Sequence, residues 1–220
     1  MKKLNITTLL CGLILFINAC GPSSSKTEEG SATATSVAEA EVSIGKQVWT
    51  TKNLEAETYR NGEAIPQVQD ATAWSKLSTG AWCYYENNTA NGTAYGKLYN
   101  WFAVNDPRGL APKGYHIPTD AEWTILTDNL GEGAGTKMKS KTGWDHDGNG
   151  TNTSGFAGLP GGFRSLDGFF GFIGAFGYWW SSSEYNTFNA WSRYLLSVNG
   201  IVGRDYGSKQ DGFSVRCLRD

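Results

Sequence analysis

Six consecutive residues, Asp145-His146-Asp147-Gly148-Asn149-Gly150, place oxygen-bearing side chains at alternate positions. Asp145, Asp147 and Asn149 followed by Gly open like a Ca²⁺ loop, which needs hard oxygen ligands. The twelfth position of such a loop is Phe156, where an EF-hand requires a bidentate Glu, so a true EF-hand is excluded. A polar turn rich in Asx and Gly has the same composition and is the simpler reading. Ca²⁺ completed by distant ligands stays open, and no other cofactor is expected.

The segment from Trp179 to Tyr206 carries recognition chemistry. Aromatic ring faces stack on the apolar surfaces of a ligand, and a few polar groups fix its orientation. The candidate ligand-binding residues are Glu184, Tyr185, Asn186, Arg193, Tyr194, Arg204, Asp205 and Tyr206. Trp179, Trp180 and Trp191 belong to the same run, but large aromatics are usually core, and at least two of the three are expected there. Catalytic constellations are not apparent. The chain has no CxxC, no HExxH and no Cys/His cluster, so zinc and redox chemistry have no support. His116 and His146 have no neighbour in sequence that would activate a nucleophile. Nothing favours a paired-carboxylate glycosidase, and the expectation is a protein that binds rather than an enzyme.

These groups need a scaffold, and the chain's beginning says where it works. Met1-Lys2-Lys3 precedes an apolar run from about Leu9 to Ile17, then Ala19-Cys20. A basic start, a short apolar stretch and a small residue at the cut form a secretory signal over residues 1–19. The run is too short to span a bilayer, which takes about 20 apolar residues. Cys20 directly after the cut is the lipoprotein variant, so its thiol is expected to carry the lipid that holds the protein to a membrane. Each buried acyl CH₂ contributes about 0.8 kcal/mol, so several chains make a stable anchor. Residues 20–41 are rich in Ser, Thr, Ala and Glu and read as a disordered tether. About twenty such residues give roughly 25 Å of root-mean-square reach. Glu28-Glu29 resembles the acidic export tags of surface lipoproteins in Bacteroidetes-type envelopes. The expected location is the cell envelope, at the outer membrane and facing outward.

Residues 42–220 remain as one domain. Nineteen basic against 21 acidic residues, with no basic cluster, argue against a nucleic-acid partner. Many Gly and nine Trp suit a loop-rich domain with large core residues and exclude a helical bundle. Cys83 and Cys217 are the only cysteines of this domain. A single disulfide between them competes with two buried free thiols. Val42 to Trp49 predicts a hairpin about a Gly-Lys turn, and Asp70 to Leu77 a helical turn. Gly80 to Tyr85 reads as a strand and Lys97 to Val104 as a helix. Gly114 to Pro118 is a strand entering the clearest helix, where Thr119 and Glu122 form a capping box and Gly131 is the stop. Beyond Trp144 helix signals vanish. Short β-type runs recur, Val198-Asn199-Gly200-Ile201 predicts a two-residue type I′ turn, and Gly212 to Leu218 alternates as a last strand. The fold class is α+β, with one or two short helices in the first half and a twisted antiparallel, hairpin-rich, loop-dominated second half.

Several strings, in order, resemble one family. They include Gly45-Lys46-Gln47-Val48-Trp49, Trp82-Cys83-Tyr84-Tyr85, Tyr95-Gly96-Lys97-Leu98-Tyr99-Asn100-Trp101, Gly114-Tyr115-His116-Ile117-Pro118-Thr119, Gly155-Phe156-Ala157-Gly158-Leu159-Pro160-Gly161-Gly162, Tyr178-Trp179-Trp180-Ser181-Ser182 and Gly212-Phe213-Ser214-Val215-Arg216-Cys217. The pattern is similar to the Fibrobacter succinogenes major paralogous domain, over about Val42 to Asp220. The resemblance implies an exported lipoprotein with a C-type-lectin-like fold, shared with formylglycine-generating-enzyme domains. It does not imply a reaction. The Ca²⁺-dependent sugar motifs of true C-type lectins are missing from this chain. Cys83 and Cys217 sit in apolar strand-like contexts, unlike the paired active-site cysteines of formylglycine-generating enzymes. The expected partner is a glycan or a protein. The alternative is a structural or assembly subunit of an envelope complex.

Overall fold

The computed structural model describes residues 40–220. The signal segment, Cys20 and the tether up to residue 39 lie outside the described residues. Strand β1 (Glu41–Ile44) and β2 (Gln47–Thr50) form the expected hairpin, with Gly45 turning at φ 61°. A Cβ at Gly45 would collide with the Asn129 amide, so the turn needs glycine for space as well as for its positive φ. Next come α1 (Ala71–Trp74), β3 (Trp82–Cys83), α2 (Thr89–Tyr95), β4 (Leu98–Tyr99), α3 (Trp101–Val104) and β5 (Tyr115–His116). Helices α4 (Asp120–Leu130) and α5 (Ala134–Met138) close the first half. The second half holds β6 (Phe163–Arg164), β7 (Phe170–Gly171), β8 (Phe176–Glu184), β9 (Asn189–Leu196), β10 (Val202–Ser208) and β11 (Leu218–Arg219).

This is a mixed α+β architecture, but the expected one or two helices are corrected to five among the described residues, since the Asn88 cap starts α2 and Gly133 starts α5 where no helix was predicted. One sheet runs β1-β2-β11-β5, so both ends of the described chain meet in it through the Leu218–Trp49 pair. The second is antiparallel, in the order β10-β9-β8. No helix among the described residues is long and apolar enough to cross a membrane.

Helix α4 starts where its caps require. Thr119 Oγ1 accepts from the Glu122 amide at 3.2 Å, and Glu122 Oε2 accepts from the Thr119 amide at 2.8 Å. Gly131 ends it at φ 64°. The helix buries Trp123 and Leu126 against Trp49, Phe156 and Trp179, while Leu130 packs at the margin. Trp179 and Trp180 are adjacent in a strand, so they point to opposite faces. Trp179 enters this cluster, and Trp180 enters another around Tyr99, Trp101 and Phe213. Both are buried as expected, while Trp191 is half-buried.

Three elements differ from their predicted form. Over Lys97 to Val104, helix begins only at Trp101, because Asn100 caps it by accepting from the Ala103 amide at 3.1 Å. Leu98 and Tyr99 instead pair with Cys83 and Trp82. The type I′ turn at Asn199-Gly200 is also corrected, since neither residue has positive φ and Val202 pairs with Leu195 across a wider loop. That loop docks on α5. Lys139 Nζ donates to the Leu196 and Asn199 carbonyls at 3.0 and 2.9 Å, and the Gly135 amide donates to the Gly200 carbonyl. Finally, Gly212 to Leu218 is not a half-exposed strand, because all seven residues are buried. Only Leu218 joins regular pairing, while Gly212, Phe213 and Ser214 make single bridges to Arg164, Tyr99 and Trp179.

The buried thread explains Arg216. Its guanidinium is fully buried and donates to Asn53 Oδ1 at 2.7 Å and to the carbonyls of Thr50 at 2.9 Å, Phe156 at 2.6 Å and Ala157 at 3.1 Å. Trp179 Nε1 donates to the same Asn53 oxygen at 2.9 Å. Burial pulls the Arg216 pKa down to about 9, so it stays charged at neutral pH. Arg216→Met strands several buried acceptors, each costing about 1–3 kcal/mol. We expect urea denaturation to show a loss of at least about 3 kcal/mol, or no folded protein at all.

Candidate functional site

Strands β8, β9 and β10 position the predicted recognition residues, and their two-residue period sorts them. Tyr206 pairs with Trp191 and Arg204 with Arg193, so these four share one face of the sheet. Ser192, Tyr194 and Asp205 fall on the other.

On the first face, Tyr185 stacks on Tyr206 with centroids 4.3 Å apart and planes 9° apart. Trp191 meets Tyr185 edge-on at 4.7 Å, and the Arg204 guanidinium lies 3.4 Å from the Trp191 ring centroid. Tyr185, Tyr206 and, at the β8–β9 turn, Phe188 are all exposed. Asn186 shapes that turn by accepting from the Phe188 and Asn189 amides, and Glu184 pairs with Lys209.

Beneath this rim sits Asp120 from the first turn of α4. Arg204 grips it through Nε at 3.0 Å and Nη2 at 2.9 Å, and Arg193 Nη1 reaches it at 2.6 Å. Burial pushes the Asp120 carboxyl up, but the hydrogen bonds from Arg204 and Arg193 outweigh it and hold its pKa below the usual value. Arg193 is therefore corrected as a ligand contact. Only 3% of it is exposed, and it ties the sheet to the helix.

The second face carries a cleft of about 180 Å³. Phe163, Tyr178 and Phe213 wall it, with Tyr178 stacked on Phe213 at 4.8 Å and edge-on to Phe163 at 5.5 Å. Asp205 and Asp211 supply its carboxylates. Asp211 accepts from the Leu166 and Ser208 amides, both at 2.8 Å, yet burial pushes its pKa up to about 6. Tyr194 lies beside this cleft, 5.6 Å from Tyr178, with its ring over Gly203, where any Cβ would collide. Phe163, Tyr178, Asp211 and Phe213 were not foreseen as site residues. Tyr178 could have been placed by counting two residues along β8 from Trp180, but the other three arrive through tertiary bridges.

The remaining candidates lie elsewhere. The Asn149 side-chain oxygen accepts from the Trp144 amide at 3.0 Å, and the Asp145 carbonyl accepts from the Gly148 amide, closing the Asp/Gly loop as a turn. Among the described residues no group of three or more His, Cys, Asp or Glu is placed to hold a metal ion. The disulfide is corrected, because Cys83 and Cys217 are buried in different core clusters and are not joined by a disulfide. Burial pushes the Cys83 thiol up to about 12, which makes it unreactive.

His116 joins three parts of the chain, with Nδ1 2.8 Å from Asp220 and Nε2 3.0 Å from Glu122. Partial burial lowers its pKa, but the bonds to Asp220 and Glu122 raise it further, for a net rise. The unfolded value is about 6.5, so the stabilising contribution is complete below that pH and is lost as pH climbs through the raised folded value. His116→Gln should remove that loss. Melting temperatures of the two proteins should differ more below pH 6.5 than well above the raised folded value, and a constant difference would refute the assignment. For the Asp120 centre, Asp120→Ala should cost about 3 kcal/mol, because it leaves Arg193 buried and unpaired. Arg204→Ala, at the exposed end, should cost about 1 kcal/mol or less in the same denaturant titration.

Among curated proteins none matches the chain, and no solved structure matches it. Residues 42–219 match the Fibrobacter succinogenes major domain (Fib_succ_major), nearly the whole of the described fold. The chain belongs to the Fibrobacter succinogenes major domain family.

Proposed function

We propose that this protein is a binding module of the bacterial cell envelope, held to the outer membrane by a lipid on Cys20, that recognises a glycan through the aromatic rim of β8–β10. The observation that carries the reading is the exposed Tyr185–Tyr206 stack, braced by Trp191 and Arg204 on the Asp120 centre. A rigid pair of rings offers flat apolar surface at little entropic cost, which suits the faces of sugar rings. Arg204 and Asn186 lie beside it to orient hydroxyl groups. The domain acts by binding alone: the Cys83 thiol is buried and unreactive, and the His116 ring is tied to Asp220 and Glu122. A C-type-lectin-like fold accords with a described segment whose two ends meet in one sheet and a loop-rich half built on a long hairpin.

A glycan array probed with the soluble domain tests this. Binding should appear on a restricted set of glycans, and Tyr185→Ala or Tyr206→Ala should weaken it about tenfold or more, roughly 1.4 kcal/mol. A blank array from folded protein would overturn the reading. Envelope proteins that co-purify with the wild type but not with Tyr185→Ala would then favour an assembly role.

A further inference from the structure

We propose that the cleft on the second face of the β8–β10 sheet binds a protonated primary amine, seated between the Asp205 and Asp211 carboxylates and the Tyr178 and Phe213 rings. Only the sugar part of the inference rests on the glycan reading: the cleft, on the face of the sheet opposite the Tyr185–Tyr206 stack, would seat a sugar that carries a free amine.

Four observations lead there. Aromatic walls favour a cation, because ring faces are electronegative. The charged groups lining the cleft are both acids, and none of its lining residues is basic. The basic side chains of the neighbouring segments are engaged elsewhere. Arg204 is on Asp120 across the sheet, Lys209 is on Glu184 and the Thr187 carbonyl, and Arg164 is on the carbonyls of Val68 and Gln69. Asp205 Oδ1 accepts only from the Tyr206 amide, and its Oδ2 has no hydrogen-bond partner among the described residues.

The cleft is also kept open. A Cβ at Gly207 would stand 2.8 Å from the Phe213 ring and 3.0 Å from Asp211 Oδ2, filling the space between ring and carboxylate. Its volume of about 180 Å³ is below that of pockets for drug-sized ligands, about 300 Å³ and more, so it fits a single ring or a short chain. An ammonium has three donors and matches two carboxylates plus a phenol oxygen. Burial of Asp211, with Asp167 adding to the negative potential, makes its free carboxylate costly, and a bound cation relieves that cost.

The test uses the whole chain and paired charged and uncharged probes in calorimetric titration at neutral pH. Glucosamine is compared with N-acetylglucosamine, and hexylamine with hexanol. We expect both amines to bind at least tenfold more tightly than their uncharged counterparts, with Asp205→Asn removing that preference. Asp211→Asn should do the same, but Asp211 also caps two backbone amides, so Asp205→Asn decides. Equal binding of charged and uncharged probes, no amine binding, or an unchanged preference in Asp205→Asn would overturn the inference. Hexylamine binding without glucosamine binding would overturn its sugar part. The glycan reading fails separately: array binding that depends on Tyr185 without amine preference sinks the cleft alone, and amine binding with a blank array sinks the glycan reading alone.

Discussion

The Arg216 guanidinium is the interaction around which the fold closes. It binds Asn53 and the carbonyls of Thr50, Phe156 and Ala157, which come from the end of β2, the loop after it and the central Gly-rich segment. Many of the described residues lie outside helices and strands, so their carbonyls need other partners. Long cationic side chains supply them. Arg164 holds Val68 and Gln69, Lys139 holds the β9–β10 loop, and Lys97 reaches the Glu55 carbonyl. Among the described residues, three of these four cations lack a carboxylate partner within salt-bridge distance, Lys97 being the exception through Glu57. Their charge is spread over carbonyl dipoles instead, which satisfies the oxygens while solvating the cation.

The recognition surface follows from the same closure. The terminal thread, held by Arg216, places Phe213 and Ser214 beside β8. That contact stacks Phe213 on Tyr178 and Trp180 and makes the floor of the cleft. On the opposite face Asp120 performs a comparable task from α4, fixing Arg193 and Arg204 and through Arg204 the Trp191 ring. The sheet is thus clamped by one centre on each side.

Local signals were legible in the sequence wherever the deciding contact is local. The Thr119–Glu122 capping box, the Gly45 turn and the Gly131 stop each involve partners a few residues apart, and each forms as expected. Opposite burial of Trp179 and Trp180 follows from strand period alone. The misreadings are tertiary. Asn-Gly at 199–200 suits a tight turn, yet Lys139 and Gly135, some sixty residues away, hold the loop wide. The alternation in 212–218 reads as a strand with one wet face, but the thread runs between two core clusters. Arg193 reads as exposed from composition, and only Asp120, 73 positions distant, buries it. For the site, Tyr185 and Tyr206 were recognisable as exposed aromatics near turns, while the cleft's Phe163 and Asp211 are brought together by the Arg164–Gly212 bridge and the Leu166–Asp211 bond, some 45 residues apart in sequence.

Because Arg216, Arg164 and Lys139 take hold of main-chain oxygens, the identity of the side chains on the captured loops is largely immaterial to the grip. Thr50, Phe156, Ala157, Val68, Gln69, Leu196 and Asn199 offer the same carbonyl whatever they carry beyond Cβ. A scaffold stapled in this way can drift in loop sequence without losing its shape. One architecture could then be copied many times and each copy given a different face.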